Sequence, residues 1–373
     1  MRRTFQYSAK LSKNVEVCCS ASLEQCRILY NLALEQKISI YKQSKKSISC
    51  YDQMNQLSEL KEAFPEFAQA GSQCLQDVIE RLDKAYQAFF KRVKHGGTPG
   101  FPRFKSKDRY NSFTLKQSGW KLEGRYLHLA KIGRLKLFLS RPIEGKIKTV
   151  TIYRNSTGKW FVSFSCDEVP KKQFSETTKE IGLDVGIKSF LVDSEGNKVN
   201  NPMFLKKFLK ELRVKQRKLS RRVKGSNRRK EARLQVAKTY EKINNQRKDY
   251  LHKVANHYIE NNKKIYIENL QINNMIKNRH LSRSIQDSSW GQFFQMLSYK
   301  AEEAGREVVK VNPNVTSQRC SACGEKVQKT LAERIHCCPY CGLVLDRDHN
   351  AAINILGLGQ SLYTTTYGAL ANA

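Results

Sequence analysis

Two short loops near the C-terminus constrain this chain more than any other feature: Cys320-Ser321-Ala322-Cys323-Gly324 and Cys338-Pro339-Tyr340-Cys341-Gly342. In each C-x-x-C-G knuckle two sulfurs can reach one ion, and the glycine can take the positive φ that the turn wants. Fourteen residues lie between Cys323 and Cys338, enough for a hairpin that brings the knuckles together. Four thiolates in tetrahedral array describe a closed, structural Zn²⁺ site with no position left for water. A redox pair or disulfides would not account for two matching knuckles. Cys337 would form C-x-x-x-C with Cys341, whereas Cys338 keeps the C-x-x-C spacing. The expected zinc ligands are therefore Cys320, Cys323, Cys338 and Cys341.

The second knuckle runs into Asp346-Arg347-Asp348-His349 and then a short amphipathic helix, Asn350–Leu356. Such an acidic pair could simply cap the helix. The charge balance gives it another meaning. Over 373 residues, 67 Lys and Arg face 34 Asp and Glu, for a net charge of +33. That excess cannot be neutralised internally and calls for a polyanionic partner, nucleic acid first. No signal peptide or apolar run of the ~20 residues that span a bilayer is present, so no membrane partner and a cytoplasmic location are expected. The other cysteines (Cys18, Cys19, Cys26, Cys50, Cys74, Cys166) show no pairing pattern and read as buried free thiols.

Hydrophobic periodicity predicts an α/β multidomain chain. Residues 2–10 alternate as a strand; helical spacing begins at Ser22 and recurs through Phe67–Val93, so residues 19–95 form a helical bundle. After the break at Gly96-Gly97, the stretch Phe101-Pro102-Arg103-Phe104-Lys105-Ser106-Lys107-Asp108 interleaves aromatics with cations. That pattern suits stacking on bases, or equally an aromatic-anchored surface loop. Short β segments over 111–168 read as a barrel or sandwich closed by the N-terminal strand. Strands follow at Ile181–Gly186, Lys188–Asp193 and Lys198–Val199. Helices follow at Phe204–Val223 and Arg228–Tyr258, one face dense in Lys and Arg. Lys264–Glu268, Trp290–Ala304 and Glu307–Val311 read as strand, helix and strand, with a polar, mobile stretch at Asn273–Ser289. Residues beyond Gly357 read as a disordered tail.

Asp184 sits in an apolar strand between Gly182 and Gly186, and Glu268 ends the apolar run Ile265-Tyr266-Ile267. Alone, each reads as a hydrogen-bonded or solvated strand end. Acids on three separate apolar elements of a strongly basic chain say more. Phosphodiester hydrolysis by two Mg²⁺ ions roughly 4 Å apart needs carboxylates converging from different elements.

Taken in order, G-L-D-V-G at 182–186, Y-I-E-N-L at 266–270, the paired knuckles and D-R-D-H-N-A-A-I-N-I at 346–355 resemble the transposon-encoded TnpB family. These are compact RNA-guided nucleases related to type V CRISPR effectors. S-W-G-Q-F at 289–293, T-S-Q-R-C-S-A-C-G at 316–324 and G-F-P-R-F-K at 100–105 strengthen the likeness. The resemblance implies an RNase H-like RuvC nuclease domain (180–316 and 344–357) with an inserted zinc ribbon (317–343). It further implies a β-barrel wedge domain (1–18 and 96–179), a helical recognition lobe (19–95) and a tail (358–373). Asp184, Glu268 and Asp348 would be the catalytic Mg²⁺ ligands, two ions in all. The family motif D-R-D-x-N selects Asp348 over Asp346. The implied partners are a transposon-derived guide RNA, one protein per RNA, and target double-stranded DNA cut beside a short transposon-associated motif. The implied location is a prokaryotic cytoplasm, on the nucleoid when DNA-bound. A guide-dependent repressor without catalysis and a strand-transfer transposase are the alternatives.

Overall fold

The computed structural model describes residues 1–107, 109–172, 174–314, 316–330 and 333–371, with side chains to Leu362. Asp108 of the aromatic–cationic stretch and residues 372–373 of the expected tail lie outside them. The chain divides into two compact units, Met1–Pro170 and Lys171–Ala373.

The first unit runs β1 (Arg3–Lys10), α1 (Lys13–Ser44), α2 (Cys50–Asn55), α3 (Leu57–Ala63), a 3-10 turn (Pro65–Ala70) and α4 (Ser72–Lys94). Six strands follow: β2 (Ser112–Leu115), β3 (Trp120–Glu123), β4 (Tyr126–Leu129), β5 (Gly133–Phe138), β6 (Lys146–Arg154) and β7 (Trp160–Asp167). The seven strands form one antiparallel sheet in the order β2-β6-β7-β1-β5-β4-β3. β2 and β3 are its edges, so it is a half-barrel instead of the closed barrel expected. β1 joins it at the centre, between β7 and β5, with Phe5 opposite Phe164 and Tyr7 opposite Val162. Strict alternation along β7 turns Trp160, Val162, Phe164 and Cys166 inward. They share one core with Leu23, Cys26 and Leu29 of α1 and Cys74, Val78 and Leu82 of α4.

Helix α1 starts nine residues before the expected Ser22. Ser12 accepts a hydrogen bond from the Val15 amide, and Val15 and Cys19 extend the buried stripe backwards. A capping box in which Ser49 and Asp52 satisfy each other's backbone amides starts α2 at Cys50. The aromatic–cationic stretch is anchored at one end as a surface loop. Phe101 packs edge-on against Tyr86 and Phe89, centroids 5.5 and 5.4 Å away. Phe104 stays 51% exposed, next to Lys105, whose backbone is held at both N–H and C=O by Asn31.

The second unit runs β8 (Glu180–Val185), β9 (Ser189–Asp193), β10 (Lys198–Asn200), α5 (Phe204–Ser220), α6 (Asn227–Asn261) and β11 (Lys264–Glu268). It continues with α7 (Ile272–Met275), α8 (Ser282–Ser288), α9 (Trp290–Ala304), β12 (Glu307–Val311), β13 (Ile335–Cys337), β14 (Val344–Asp346) and α10 (Arg347–Ala371). Five strands pair in the order β10-β9-β8-β11-β12. β8, β9 and β10 are antiparallel, while β11 runs parallel to both β8 and β12.

Period-two alternation decides what covers each face of this sheet. Ile181, Leu183, Ile265 and Ile267 pack with Leu251, Ala255, Phe293 and Leu297 of α6 and α9. The intervening Tyr266 packs with Ile355 and Leu356 of α10. Gly182, Asp184 and Glu268 therefore share the α10 side.

Two expectations in this unit are corrected. The stretch 273–289 is not an unstructured, mobile loop. It holds α7 and α8, and Asp287 there is buried, accepting from the Leu205 and Lys206 amides and from Arg247. Polar composition concealed a buried cap for α5. The chain past Gly357 is helical to Ala371 instead of disordered. Leu358 joins the apolar cluster around Tyr266, and Gln360 donates to Glu180. Among the described residues no helix is long and apolar enough to cross a membrane.

Candidate active site and metal centres

The first knuckle follows β12, and the second lies in the turn between β13 and β14. Gly324 and Gly342 close the two turns at φ 78° and 76°, each donating its amide to the carbonyl of the cysteine that opens the knuckle. The sulfurs of Cys320, Cys323, Cys338 and Cys341 all lie within 4.8 Å of one another. Cys320 to Cys341 and Cys323 to Cys338 are both 3.6 Å. Burial opposes ionisation of Cys338, yet the Cys341 and Tyr340 amides and neighbouring sulfurs bring its thiol to about 7. Cys337 is exposed on β13 and takes no part in the cluster. Four converging soft donors fit a tetrahedral ion and leave no open coordination position.

The acids come from three elements. β8 and β11 are parallel neighbours in register, Leu183 opposite Ile267. Asp184 and Glu268 follow those two residues, side by side at the carboxyl ends of their strands, where open α/β sheets bind ligands. Helix α10 brings the third. A side chain at Gly182 would collide with the Ala352 carbonyl oxygen and come within 2.7 Å of the Leu356 amide. Only glycine lets the helix lie this close to β8. Asp348 is one helical turn before Ala352 and two before Leu356, on the same helix face. The approach at Gly182 therefore places Asp348 over Asp184.

The electrostatics agree. Asp184 is driven well above the usual carboxylate range, first by burial, then by Glu268 and Asp348, with Arg347 opposing and Asp346 adding less. Burial also raises Glu268, against a hydrogen bond from Thr316. A buried carboxylate raised by two neighbouring acids marks negative charge that a cation would neutralise. The three acids are not gathered as tightly as the thiolates. Among the described residues the four cysteines are the one group of three or more candidate ligands placed to hold a metal ion.

Asp346 has a different job. Its Oδ1 accepts from the Asp348 amide at 3.0 Å and the His349 amide at 3.3 Å, which makes it the cap of α10. Its Oδ2 pairs with Lys198 at 2.6 Å.

Several supporting residues escaped sequence reasoning. Thr316, 2% exposed, donates to Glu268 at 2.5 Å. Asn350, fully buried, accepts from the Ser321 amide at 2.9 Å and donates to the Arg319 carbonyl at 2.7 Å. Asn354, one turn on, donates to the Thr316 and Arg319 carbonyls, both at 2.8 Å. One helix therefore carries Asp348 and grips the chain on both sides of Cys320. The available signal was two asparagines four apart in an apolar helix. Asparagine disfavours helix interiors unless its amide is engaged.

A direct consequence concerns Gly182→Ala. The methyl forces β8 and α10 apart, and we expect a loss of about 1–3 kcal/mol of stability, the usual cost of overpacking. Cleavage should fall further than stability, because Asp348 moves with the helix. Denaturant midpoints and cleavage rates on one preparation check this; an unchanged rate would refute the placement.

Comparison with known proteins fits this architecture. Residues 163–279 match the family profile OrfB_IS605, described as a probable transposase. Residues 290–355 match the Cas12f1-like TNB domain. A Streptomyces pristinaespiralis protein named "Putative RNA-guided DNA endonuclease" is 34% identical over 368 residues, covering 96% of this chain and 90% of its own. InsQ of Escherichia coli K12, with the same description, is 31% identical over 357 residues, covering 90% and 87%. The fold resembles that of the protein in the cryo-EM structure of a Cas12f1–sgRNA–target DNA complex. Its TM-score is 0.58 at 15% identity, over 92% of this chain and 83% of that one. The chain belongs to the TnpB family of RNA-guided DNA endonucleases.

Proposed function

We propose that this protein is an RNA-guided, Mg²⁺-dependent DNA endonuclease of an insertion sequence. In this reading Asp184, Glu268 and Asp348 hold the catalytic ions, and Cys320, Cys323, Cys338 and Cys341 hold a structural zinc ion. The observation that carries it is the convergence of three carboxylates, two on adjacent parallel strand ends and one on the first turn of α10. Bound Mg²⁺ would activate water and neutralise the leaving oxygen. The chain's own part is to hold the acids: Gly182 admits α10, Thr316 orients Glu268, and Asp346 caps the helix beneath Asp348. The strand order β10-β9-β8-β11-β12, with its antiparallel and parallel halves, supports an RNase H-like RuvC domain. The half-barrel of the first unit supports the wedge assignment, and α1–α4 the recognition lobe. Guide pairing would supply sequence choice, the protein supplying charge and shape.

The α5–α6 hairpin is the strongest candidate for a phosphate contact. Arg229 donates to the Leu219 and Arg222 carbonyls and so holds its turn. Val214, Arg217, Lys218, Arg221 and Arg222 line a surface groove of about 550 Å³ beside that turn. Replacing Arg217, Lys218 and Arg221 with serine should weaken nucleic-acid binding without regard to sequence. The slope of log K against log salt should become shallower by about one per contact removed. A filter-binding salt titration with the copurified RNA measures this, and an unaltered slope removes the hairpin from the interface.

The decisive experiment is to sequence the RNA that copurifies and test Mg²⁺-dependent cutting of DNA matching its guide. A repressor would bind that DNA without cutting it. A strand-transfer transposase would join transposon ends with no RNA.

A further inference from the structure

Arg347 stands between Asp346 and Asp348, and the function proposed above gives it no task. Its Nε and Nη2 each lie 3.2 Å from Asp348 Oδ1. Its Nη1 donates to the Glu333 carbonyl at 3.1 Å, and its backbone amide donates to the Arg334 carbonyl at 2.8 Å. The side chain is only 16% exposed. The same guanidinium is the cation that opposes the raising of Asp184. An exposed pair between sequence neighbours would carry little weight. This one is half-buried, forked onto one oxygen and tied to the segment that leads into β13.

The position is also electrostatically odd. A cation in the first turn of a helix meets the positive end of the helix dipole, which costs about 0.3–1 kcal/mol. Lysine there could shed its proton in an enclosed site; arginine cannot. Arginine therefore leaves a permanent positive charge against an acid that the reaction needs. Three carboxylates and one guanidinium leave a net negative site that is only partly satisfied.

We propose that Arg347 is a built-in counter-ion for the acidic site. Its guanidinium holds Oδ1 of the Asp348 carboxylate, and a divalent cation that takes that oxygen must displace it. Because Nη1 is anchored to the Glu333 carbonyl, the position of the segment before β13 sets how readily the latch opens. Arg347 is thus a positioning residue that raises the divalent-ion concentration at which the site fills. The inference rests on the reading of Asp184, Glu268 and Asp348 as ligands of a divalent cation.

The test is a Mn²⁺ titration of the zinc-loaded, RNA-free full chain, with free ion counted by electron paramagnetic resonance. Arg347→Gln should bind Mn²⁺ at least about 5-fold more tightly than the natural protein, the low end of a coupling between interacting sites. Its Mg²⁺ midpoint for cleavage should fall in parallel. Equal or weaker Mn²⁺ binding at unchanged zinc content and unfolding midpoint overturns the proposal. Arg347→Lys keeps the charge but loses the fork and the tie to Glu333, so it should bind between the two. If the glutamine variant does not fold, Lys alone decides: binding no tighter than the natural protein's refutes the latch. Asp184→Ala supplies the separate control. Mn²⁺ binding that this substitution leaves unaltered overturns the acidic site itself, whatever Arg347 does.

Discussion

Asp184→Ala should abolish target cleavage while the guide RNA and the DNA remain bound. Removing one of three carboxylates withdraws several kcal/mol of transition-state stabilisation, which is on the order of 10³-fold or more in rate. The nucleic acids are held by cations spread over the chain, so their affinity should hardly change. Asp184→Asn carries a second signature. The folded-state pKa of Asp184 is raised by burial and by Glu268 and Asp348. Well below the ordinary carboxylate range both folded and unfolded chains hold this proton, and the group contributes nothing. As pH rises the unfolded chain loses it first, so stability falls until the raised folded-state value is passed. Metal-free natural protein should therefore lose stability between mildly acidic and neutral pH, and Asp184→Asn should lose less. At neutral pH the inactive variant should be the more stable of the two. Denaturant titrations at several pH values, without divalent ions, measure this. Full activity in Asp184→Ala, or identical pH profiles for the natural and Asn proteins, would contradict the assignment.

The second large effect concerns the cysteines. Cys320→Ser should abolish zinc binding and open the 317–343 segment to protease before the remainder of its unit. For small sites of this kind metal binding and folding are one event. The damage should not stay local. Thr316 and Arg319 precede Cys320 and Ser321 follows it, and all three are tied to Asn350 or Asn354. Thr316 also holds Glu268. Losing the knuckle slackens one acid directly and the helix bearing another. A displacement of about 1 Å at a reacting centre can cost 10²-fold, and a fall of that order in cleavage is expected at saturating Mg²⁺. Zinc analysis, limited proteolysis and cleavage on the same preparation check it. Unimpaired cleavage by zinc-free protein would disconnect the two centres.

The sequence was most legible where spacing carries chemistry. The two C-x-x-C-G knuckles define their cluster without help, and the choice of Cys338 over Cys337 follows from spacing alone. β11, α9 and β12 have the bounds that their hydrophobic periods predict. The acids Asp184 and Glu268 could be named, but not brought together. Their adjacency depends on a parallel pairing between strands some eighty residues apart, which leaves no local mark. Asp346 and Asp348 could be parted only through the family motif, because capping and metal binding ask for the same side chain. Asp287 and Thr316 were invisible for a related reason: a buried polar residue whose hydrogen-bond partner is distant in sequence reads as an exposed one. β3 does alternate, Trp120 and Leu122 against Lys121 and Glu123, but over only 4 residues, too short a run for the period to stand out.

Asn350 and Asn354 carry a practical consequence for engineering. The cysteine loops look like a cassette that could be exchanged between relatives at the knuckle boundaries. The two asparagines show that the joint lies elsewhere. They clasp the polypeptide entering the first knuckle, so a graft cut at residues 317 and 343 would separate the clasp from its partner. A transplant that works must carry 313–354 as one piece, with both acids' supports inside it. Chimeras built to that boundary should keep cutting, whereas those built to the cysteine boundary should bind zinc and cut poorly.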